Sequence, residues 1–277
     1  MLVFPNCKIN IGLHIISKRD DGYHNIETAF YPIPLHDVLE IITSDSTNKE
    51  VEFSMSGNKI DGNTDQNLCV KAYHLLKNEF PQLPNIKMHL HKIIPTGAGL
   101  GGGSADGAFA LSLLNKKFSL GLSTQQLIDH ALQLGSDCPF FIINQPCFAT
   151  SRGEILQEIA LNLSGYKIAV INPGIHVNTA QAFSQIRLQT PVVTKTTLSS
   201  LIYSPVTEWK NTITNDFEPI VFAQYPDIKK IKDQLYQSGA VYASMSGSGS
   251  TVYGIFANEI PPDLSFPDSY YTKTIQL

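Results

Sequence analysis

Apolar and polar side chains alternate without a break over residues 8–15, with Ile9, Ile11, Leu13 and Ile15 on one face and Lys8, Asn10, Gly12 and His14 on the other. A period of two predicts a β-strand whose polar face meets solvent. The same alternation recurs over residues 86–94, and shorter β-branched or aromatic runs predict strands over 37–42, 51–55 and 167–172. Residues 27–36 share that composition but include Pro32 and Pro34, so an irregular strand is expected there.

Other stretches follow a period of 3.6. Leu68, Ala72, Leu75 and Leu76 form a stripe that ends before Pro81. Leu127, Ile128, Ala131 and Leu134 form a second stripe, with Ser123 or Thr124 as cap and Gly135 at its exit. Residues 226–236 are the clearest amphipathic helix: Pro226 opens it, Ile228, Ile231 and Leu235 point inward, and Gly239 lies just past its end. A shorter helix is expected over 175–183 behind Asn178 or Thr179, whereas 189–210 is rich in Ser and Thr without a strong period. The run Phe140-Phe141-Ile142-Ile143 reads as a strand entered through a turn at Asp137, and a carboxylate in such a turn often caps backbone amides. Together these elements predict an α+β protein of two domains, residues 1–157 and 158–277.

Composition narrows the partners. With 43% hydrophobic and 16% charged residues and a net charge of −4, the chain is an ordinary globular protein without the basic excess of a nucleic-acid binder. A small-molecule partner is expected, with no nucleic acid and no membrane. Cys7, Cys69, Cys138 and Cys147 form no C-x-x-C pair, so they read as reduced, buried small hydrophobes of a cytoplasmic protein. The first residues lack a basic stretch followed by an apolar one, and no run approaches the ~18 apolar residues of a membrane span, so neither export nor anchoring is expected.

Chemistry concentrates in residues 95–106, where five of the seven residues from Gly97 to Gly103 are glycine. Such a run lets consecutive backbone N–H groups turn toward one concave point, which is a cradle for an anion. An Ala-rich helical stretch follows it directly, and the partial positive charge of a helix N-terminus adds to the same attraction. A Walker A loop would end in Gly-Lys-Ser/Thr, and no lysine occurs between Lys92 and Lys116. Gly97, Gly99 and Gly102 satisfy G-x-G-x-x-G, but no acid stands beside Gly121 and Leu122, where a dinucleotide fold would bind ribose. The H-R-D and D-F-G tripeptides of protein kinases are missing. A flexible linker is disfavoured by the flanking strand and helix.

Taken with the lysine strand and a late Ser246-Gly-Ser-Gly249 loop, Pro95-x-Gly-x-Gly-Leu-Gly-Gly-Gly-Ser104 resembles the three signature segments of the GHMP kinases. Further similar segments follow in order: Arg19-x-Asp-Gly-Tyr-His24, Gly135-Ser-Asp-Cys-Pro-Phe-Phe141, Arg152-Gly-Glu-Ile-Leu156, Pro173-Gly-Ile-His-Val177 with Thr179 and Ala180, and Asn215-Asp-Phe-Glu218. The resemblance is strongest to the branch that phosphorylates the 2-hydroxyl of a cytidine-diphosphate-linked methylerythritol in the non-mevalonate route to isoprenoid precursors. It implies a ribosomal-protein-S5-like N-terminal domain and a ferredoxin-like C-terminal one.

It also implies roles. Asp137 would take the proton from the acceptor hydroxyl, and Lys8 would orient Asp137 and lower the effective pKa of that hydroxyl. ATP would lie on Pro95, Thr96, Gly97, Ala98, Gly99, Leu100, Gly101, Gly102, Gly103, Ser104 and Ala105, accompanied by Mg2+ whose protein ligands are unknown. Tyr23 and His24 would hold the cytosine ring, and Asn10 would assist near the transferred group. Two departures stand out: Ala105 replaces the second serine of the usual Ser-Ser pair, and Ser151 stands where many relatives have a glycine before Arg-Gly-Glu. Two other readings remain, a GHMP kinase for mevalonate or homoserine and a relative that binds nucleotide without catalysis. A monomer or weak homodimer is expected.

Overall fold

The computed structural model describes residues 1–45, 48–59, 63–186, 197–257, 259–261 and 264–277. In chain order its strands are β1 (Leu2–Val3), β2 (Asn6–Lys18), β3 (His24–His36), β4 (Val38–Thr43), β5 (Val51–Gly57), β6 (Ile86–Lys92), β7 (Cys147–Thr150), β8 (Ile155–Glu158), β9 (Lys167–Asn172), β10 (Tyr242–Met245), β11 (Val252–Phe256) and β12 (Tyr271–Gln276). The α-helices are α1 (Leu68–Glu79), α2 (Gly102–Phe118), α3 (Thr124–Leu134), α4 (Cys138–Ile143), α5 (Thr179–Ser184), α6 (Leu198–Leu201), α7 (Trp209–Thr212), α8 (Glu218–Gln224) and α9 (Pro226–Gln237).

The chain forms two compact units. One comprises Met1–Cys7, Pro34–Thr96 and Gly101–Gln145; the other comprises Lys8–Ile33, Gly97–Leu100 and Pro146–Leu277. Neither is a continuous stretch of the chain.

In the first unit the sheet runs β1-β4-β6-β5, with β6 antiparallel to β4 and parallel to β5. The alternation read in β6 is present: Ile86, Met88 and Leu90 are buried. Helices α1, α2, α3 and α4 pack on one another. A Cβ added at Gly107 would stand 2.8 Å from Leu68 Cβ, so the missing side chain lets α1 and α2 approach closely. Ser123 caps α3 in a reciprocal arrangement with Gln126, one of the two caps read from the sequence.

One expectation fails in this unit. Residues 140–143 lie in helix α4, not in a strand. A short apolar run fits either period, and here Pro139 in the first turn sets a helical φ while Pro139, Phe140 and Phe141 are buried. Asp137 precedes α4 without a side-chain capping bond to that helix.

In the second unit one sheet has the order β2-β3-β7-β8 and the other β10-β11-β9-β12. Counted from β9, the latter order is second, third, first, fourth, with every neighbouring pair antiparallel and helices on the crossover between the first two strands. That is the order expected of a ferredoxin-like sheet. Helix α9 buries Ile228, Ile231 and Leu235, the three positions its periodicity marked. They join a core with Ala169, Ile171, Val252 and Phe256 of the sheet. A Cβ at Gly254 would meet Leu235 Cδ2 at 3.0 Å.

Strand β2 departs from expectation in its exposure. Lys8 and Asn10 are 4% and 2% exposed, so the polar face of this strand is as buried as the apolar one. Of the stretch 189–210, residues 189–196 lie outside the described residues, and the remainder holds α6 and the start of α7. All four cysteines are buried thiols outside any disulfide, and among the described residues no helix is long and apolar enough to cross a membrane.

Truncating Leu235 to alanine opens a cavity between α9 and β11 and should cost about 2–5 kcal/mol of stability. Urea unfolding of the Leu235→Ala variant checks this, and a loss below measurement error would contradict the packing described.

Candidate functional site

The second unit organises its polar residues around Lys8. The Lys8 ammonium donates to Asn10 Oδ1 at 2.5 Å and to the Gly99 carbonyl at 3.4 Å, and it lies 4.7 Å from the centre of the Phe30 ring. An ammonium over an aromatic face gains attraction from the ring quadrupole. Asn10 is fixed in turn: its Nδ2 donates to Thr28 Oγ1 at 3.0 Å, and its backbone carbonyl accepts from the Tyr253 hydroxyl at 2.8 Å. The Lys8 amide donates to the Leu100 carbonyl at 3.0 Å, which lays this strand along the glycine loop.

Residues Gly97–Leu100 rest against the β10–β11 hairpin loop. Ser246 Oγ donates to the Gly99 carbonyl at 2.8 Å and accepts from the Asn10 amide at 3.2 Å, and the Thr251 amide donates to the Ala98 carbonyl at 3.3 Å. Gly97, Gly99 and Gly101 have φ of 65°, 79° and 70°, with no positive φ at Ala98 or Leu100 between them. Alternation of this kind turns successive N–H groups to one side, the geometry of an anion nest. A Cβ at Gly99 would lie 2.0 Å from the Ser246 carbonyl oxygen, so no other residue fits there.

The hairpin loop is itself held from outside. Asn215 Nδ2 donates to the carbonyls of Met245 and Gly247, both at 2.8 Å, while Asn215 Oδ1 accepts from the Phe217 amide at 2.9 Å. Glu218 accepts from the Met245 amide at 2.9 Å and from Ser244 Oγ at 3.2 Å, and its second oxygen pairs with Lys232 at 2.5 Å. Segment 215–218 thus holds the loop that holds Gly99. Sequence reading noticed both segments but assigned neither this task, because a bond between two distant loops leaves no periodic signal.

In the first unit Gly101 caps α2 without a side-chain hydrogen bond, so no side chain at the cap occupies the amides of the helix's first turn. Burial pushes the Cys138 thiol up to about 12, against the opposing effect of Ser104 in that turn. Asp137 is half-buried and adjoins Cys138 at the start of α4, which packs on α2.

Tyr23 and His24 sit in the second unit at a turn of different character. Tyr23 is 56% exposed and carries the Arg152 guanidinium 5.1 Å from its ring centre. His24 stacks on Phe183 with ring centres 4.7 Å apart and planes 13° from parallel, and burial together with Lys18 lowers its pKa. Phe183 was read only as part of a helix; its ring face is a flat surface the sequence did not disclose. Arg19 is spent locally, on Asp21, Asn25 Oδ1 at 3.3 Å and Ser151 Oγ at 3.0 Å.

Family models named GHMP kinases N terminal domain and GHMP kinases C terminal match residues 67–145 and 205–264. A 4-diphosphocytidyl-2-C-methyl-D-erythritol kinase from Bacteroides fragilis is 52% identical over 259 residues, covering 94% of this chain and 93% of its own. The chain belongs to the GHMP kinases. The relative of the same name from Cytophaga hutchinsonii is 50% identical over 275 residues, 99% of this chain and 96% of its own. Among solved structures, a 4-(cytidine 5'-diphospho)-2C-methyl-D-erythritol kinase superposes with a TM-score of 0.79 at 26% identity, over 100% of this chain and 99% of that one. A mevalonate kinase from Methanococcus jannaschii shares the fold at a TM-score of 0.70 and 11% identity, over 100% of this chain and 98% of that one. The expected α+β GHMP kinase fold is therefore present.

In this GHMP kinase the departure at Ser151 has a structural side. Ser151 holds φ at 61°, a left-handed conformation in which glycine is at ease, and its hydroxyl bridges Arg19 to Glu154 Oε1 at 3.2 Å. The serine accepts a strained backbone and supplies a bridge that glycine lacks.

Gly99→Ala should abolish detectable ATP binding in the folded protein, because the loop cannot keep both its φ and its contact with Ser246. Calorimetric titration with ATP would settle it; wild-type affinity would refute the close approach.

Proposed function

We propose that this GHMP kinase transfers the γ-phosphoryl group of ATP to the 2-hydroxyl of 4-diphosphocytidyl-2-C-methyl-D-erythritol, a step of the non-mevalonate route to isoprenoid precursors. The observation that carries this reading is the 52% identity, over 94% of the chain, to a relative bearing that kinase's name. In the proposed reaction the acceptor oxygen attacks the γ-phosphorus in line, the bond to the β,γ-bridging oxygen breaks, and ADP leaves. Asp137 takes the hydroxyl proton and later gives it to water. Lys8 steadies the carboxylate and the reacting oxygen, and Asn10 acts one step back by fixing the Lys8 ammonium, a bond that supports this reading.

Residues Pro95, Thr96, Gly97, Ala98, Gly99, Leu100, Gly101, Gly102, Gly103, Ser104 and Ala105 are assigned to ATP. The alternating φ of Gly97, Gly99 and Gly101 and the open cap of α2 support this, since phosphoryl transfer asks mainly for positioning and charge stabilisation. Mg2+ would travel on the nucleotide. Among the described residues no group of three or more His, Cys, Asp or Glu could hold a metal, which suits an ion whose ligands are mostly phosphate oxygens and water. When bound, it neutralises phosphate charge; no protein ligand is assigned to it. Tyr23 and His24 are assigned to the cytosine ring, supported by the exposure of Tyr23 and by the stacked His24–Phe183 pair. A cytoplasmic location and a monomer or weak homodimer complete the proposal.

A kinase for mevalonate or homoserine would have no pyrimidine for Tyr23 and His24 to hold, and a binding protein without catalysis would have no task for Asp137. ADP release measured with the cytidyl substrate, mevalonate and homoserine separates these readings: turnover with the cytidyl substrate is expected, and turnover with another alcohol in its place would overturn the substrate. Asp137→Asn should keep ATP affinity while lowering kcat by roughly 10²–10⁴, the range for loss of a positioned base. Unchanged turnover would remove Asp137 from the mechanism.

A further inference from the structure

Three charged side chains are buried together in the first unit, and the chemistry above uses none of them. Lys92, the last residue of β6, is 2% exposed; Asp37, between β3 and β4, is 0% exposed; Asp106, in α2, is 2% exposed. The Lys92 ammonium donates to Asp37 Oδ2 and, at 2.7 Å, to Asp106 Oδ2. Asp37 Oδ1 accepts from the backbone amides of Ile93 at 2.5 Å and Ile94 at 2.9 Å. Asp106 Oδ1 is buried with no hydrogen-bond partner among the described residues.

Placement gives this triad its meaning. Ile93 and Ile94 lead into Pro95 and the glycine loop, whereas Asp106 lies one turn into the helix that leaves it. A Cβ at Gly102, the first residue of α2, would fall 2.8 Å from Ile94 Cγ2 and 3.4 Å from Lys92 Nζ, so the two ends of the loop are in direct contact over the ammonium. Burying charge is costly, and removing one partner of a buried pair leaves the other uncompensated. A surface loop could close on apolar contacts alone. Here both ends are tied to one cation by directional bonds, which fixes their relative orientation more tightly than packing does.

We infer that Asp37, Lys92 and Asp106 are positioning residues for phosphoryl transfer: they staple the two ends of the glycine loop and so hold its amides, and the first turn of α2, in register for the nucleotide phosphates. The inference rests on the assignment of this loop to ATP. Its distinguishing consequence is that loosening the staple weakens the nucleotide and not the acceptor alcohol, whose proposed contacts lie on other segments. Burial pushes the Asp106 carboxyl up to about 7, against the pull of Lys92 and with the help of Asp37. Asparagine, which keeps an oxygen for Lys92, is the conservative replacement.

The test is steady-state kinetics with both substrates varied, on wild type, Asp106→Leu and Asp106→Asn, with thermal unfolding to verify that each variant is folded. Asp106→Leu should raise KM for ATP by at least about tenfold, with kcat and the KM of the cytidyl alcohol within about twofold, as expected for displaced binding groups beside an intact acceptor site. Asp106→Asn should recover most of that loss. If leucine prevents folding, Asp106→Ser, whose hydroxyl stops short of Lys92, carries the same expectation. A KM for ATP that stays at the wild-type value in a folded Leu or Ser variant overturns the staple, as does a parallel fall in kcat and rise in both KM values, or an Asn variant as impaired as the Leu one. Wild-type enzyme that shows no saturation with ATP would instead sink the assignment of the loop itself.

Discussion

An ammonium group withdrawn from water must be met by oxygens that do not move away, and that requirement at Lys8 governs the second unit. Lys8 is 4% exposed, and the acceptors that meet it include the Asn10 carboxamide and the Gly99 carbonyl. Neither is free to turn. Asn10 is anchored to Thr28, and Gly99 accepts from Ser246, which also receives the Asn10 amide. Taking charge into a low-dielectric interior without such partners costs several kcal/mol per ion, so strand, glycine loop and hairpin must be in place together for the lysine to be there at all. The consequence is that the cation is held already oriented.

Gly99 is where the demand becomes steric. The carbonyl of Ser246 occupies the space a side chain would need, and the left-handed φ of Gly99 turns its own carbonyl toward Lys8 and Ser246. From there the restraint passes outward through Met245 and Gly247 to Asn215, and through Met245 and Ser244 to Glu218. Glu218 is itself 7% exposed and paired with Lys232 of α9. A chain of polar contacts thus runs from the apolar core under α9 to the glycine loop. It explains why a charged residue such as Glu218 occupies a core position that a hydrophobe would fill more cheaply.

Much of this was legible in the sequence, for reasons that can be traced to particular residues. Helix α9 declared itself because Ile228, Ile231 and Leu235 fall on one face between a proline and a glycine. The glycine loop declared itself through composition, and the Ser123 and Asn178 caps through side chains whose preferred place is a helix start. Periodicity failed where burial is not one-sided. Lys8 and Asn10 alternate like a solvated face, yet a strand covered on both sides shows the same pattern whenever its second face is polar. Residues 140–143 failed because four apolar residues contain too little of either period, and the proline before them carried the deciding information. Tertiary bonds between loops, such as Asn215 to Met245, lie beyond any local pattern.

The two buried lysines show how one fold divides a single chemical resource. Lys92 is surrounded by two carboxylates that raise its pKa above the usual value against the effect of burial, so its charge is balanced in place. A balanced ion pair has little field left to offer a passing phosphate and is suited to structural duty. Lys8 has an amide oxygen, a carbonyl and a ring face among its partners, groups that hold a cation through dipoles. A reaction that shifts negative charge between phosphate oxygens gains from a fixed positive charge. Chain position alone would not separate these residues, since each ends in the same ammonium beside the same loop. The partners do: Lys92 is set between two aspartates, while the partners of Lys8 include neutral oxygens and a ring face.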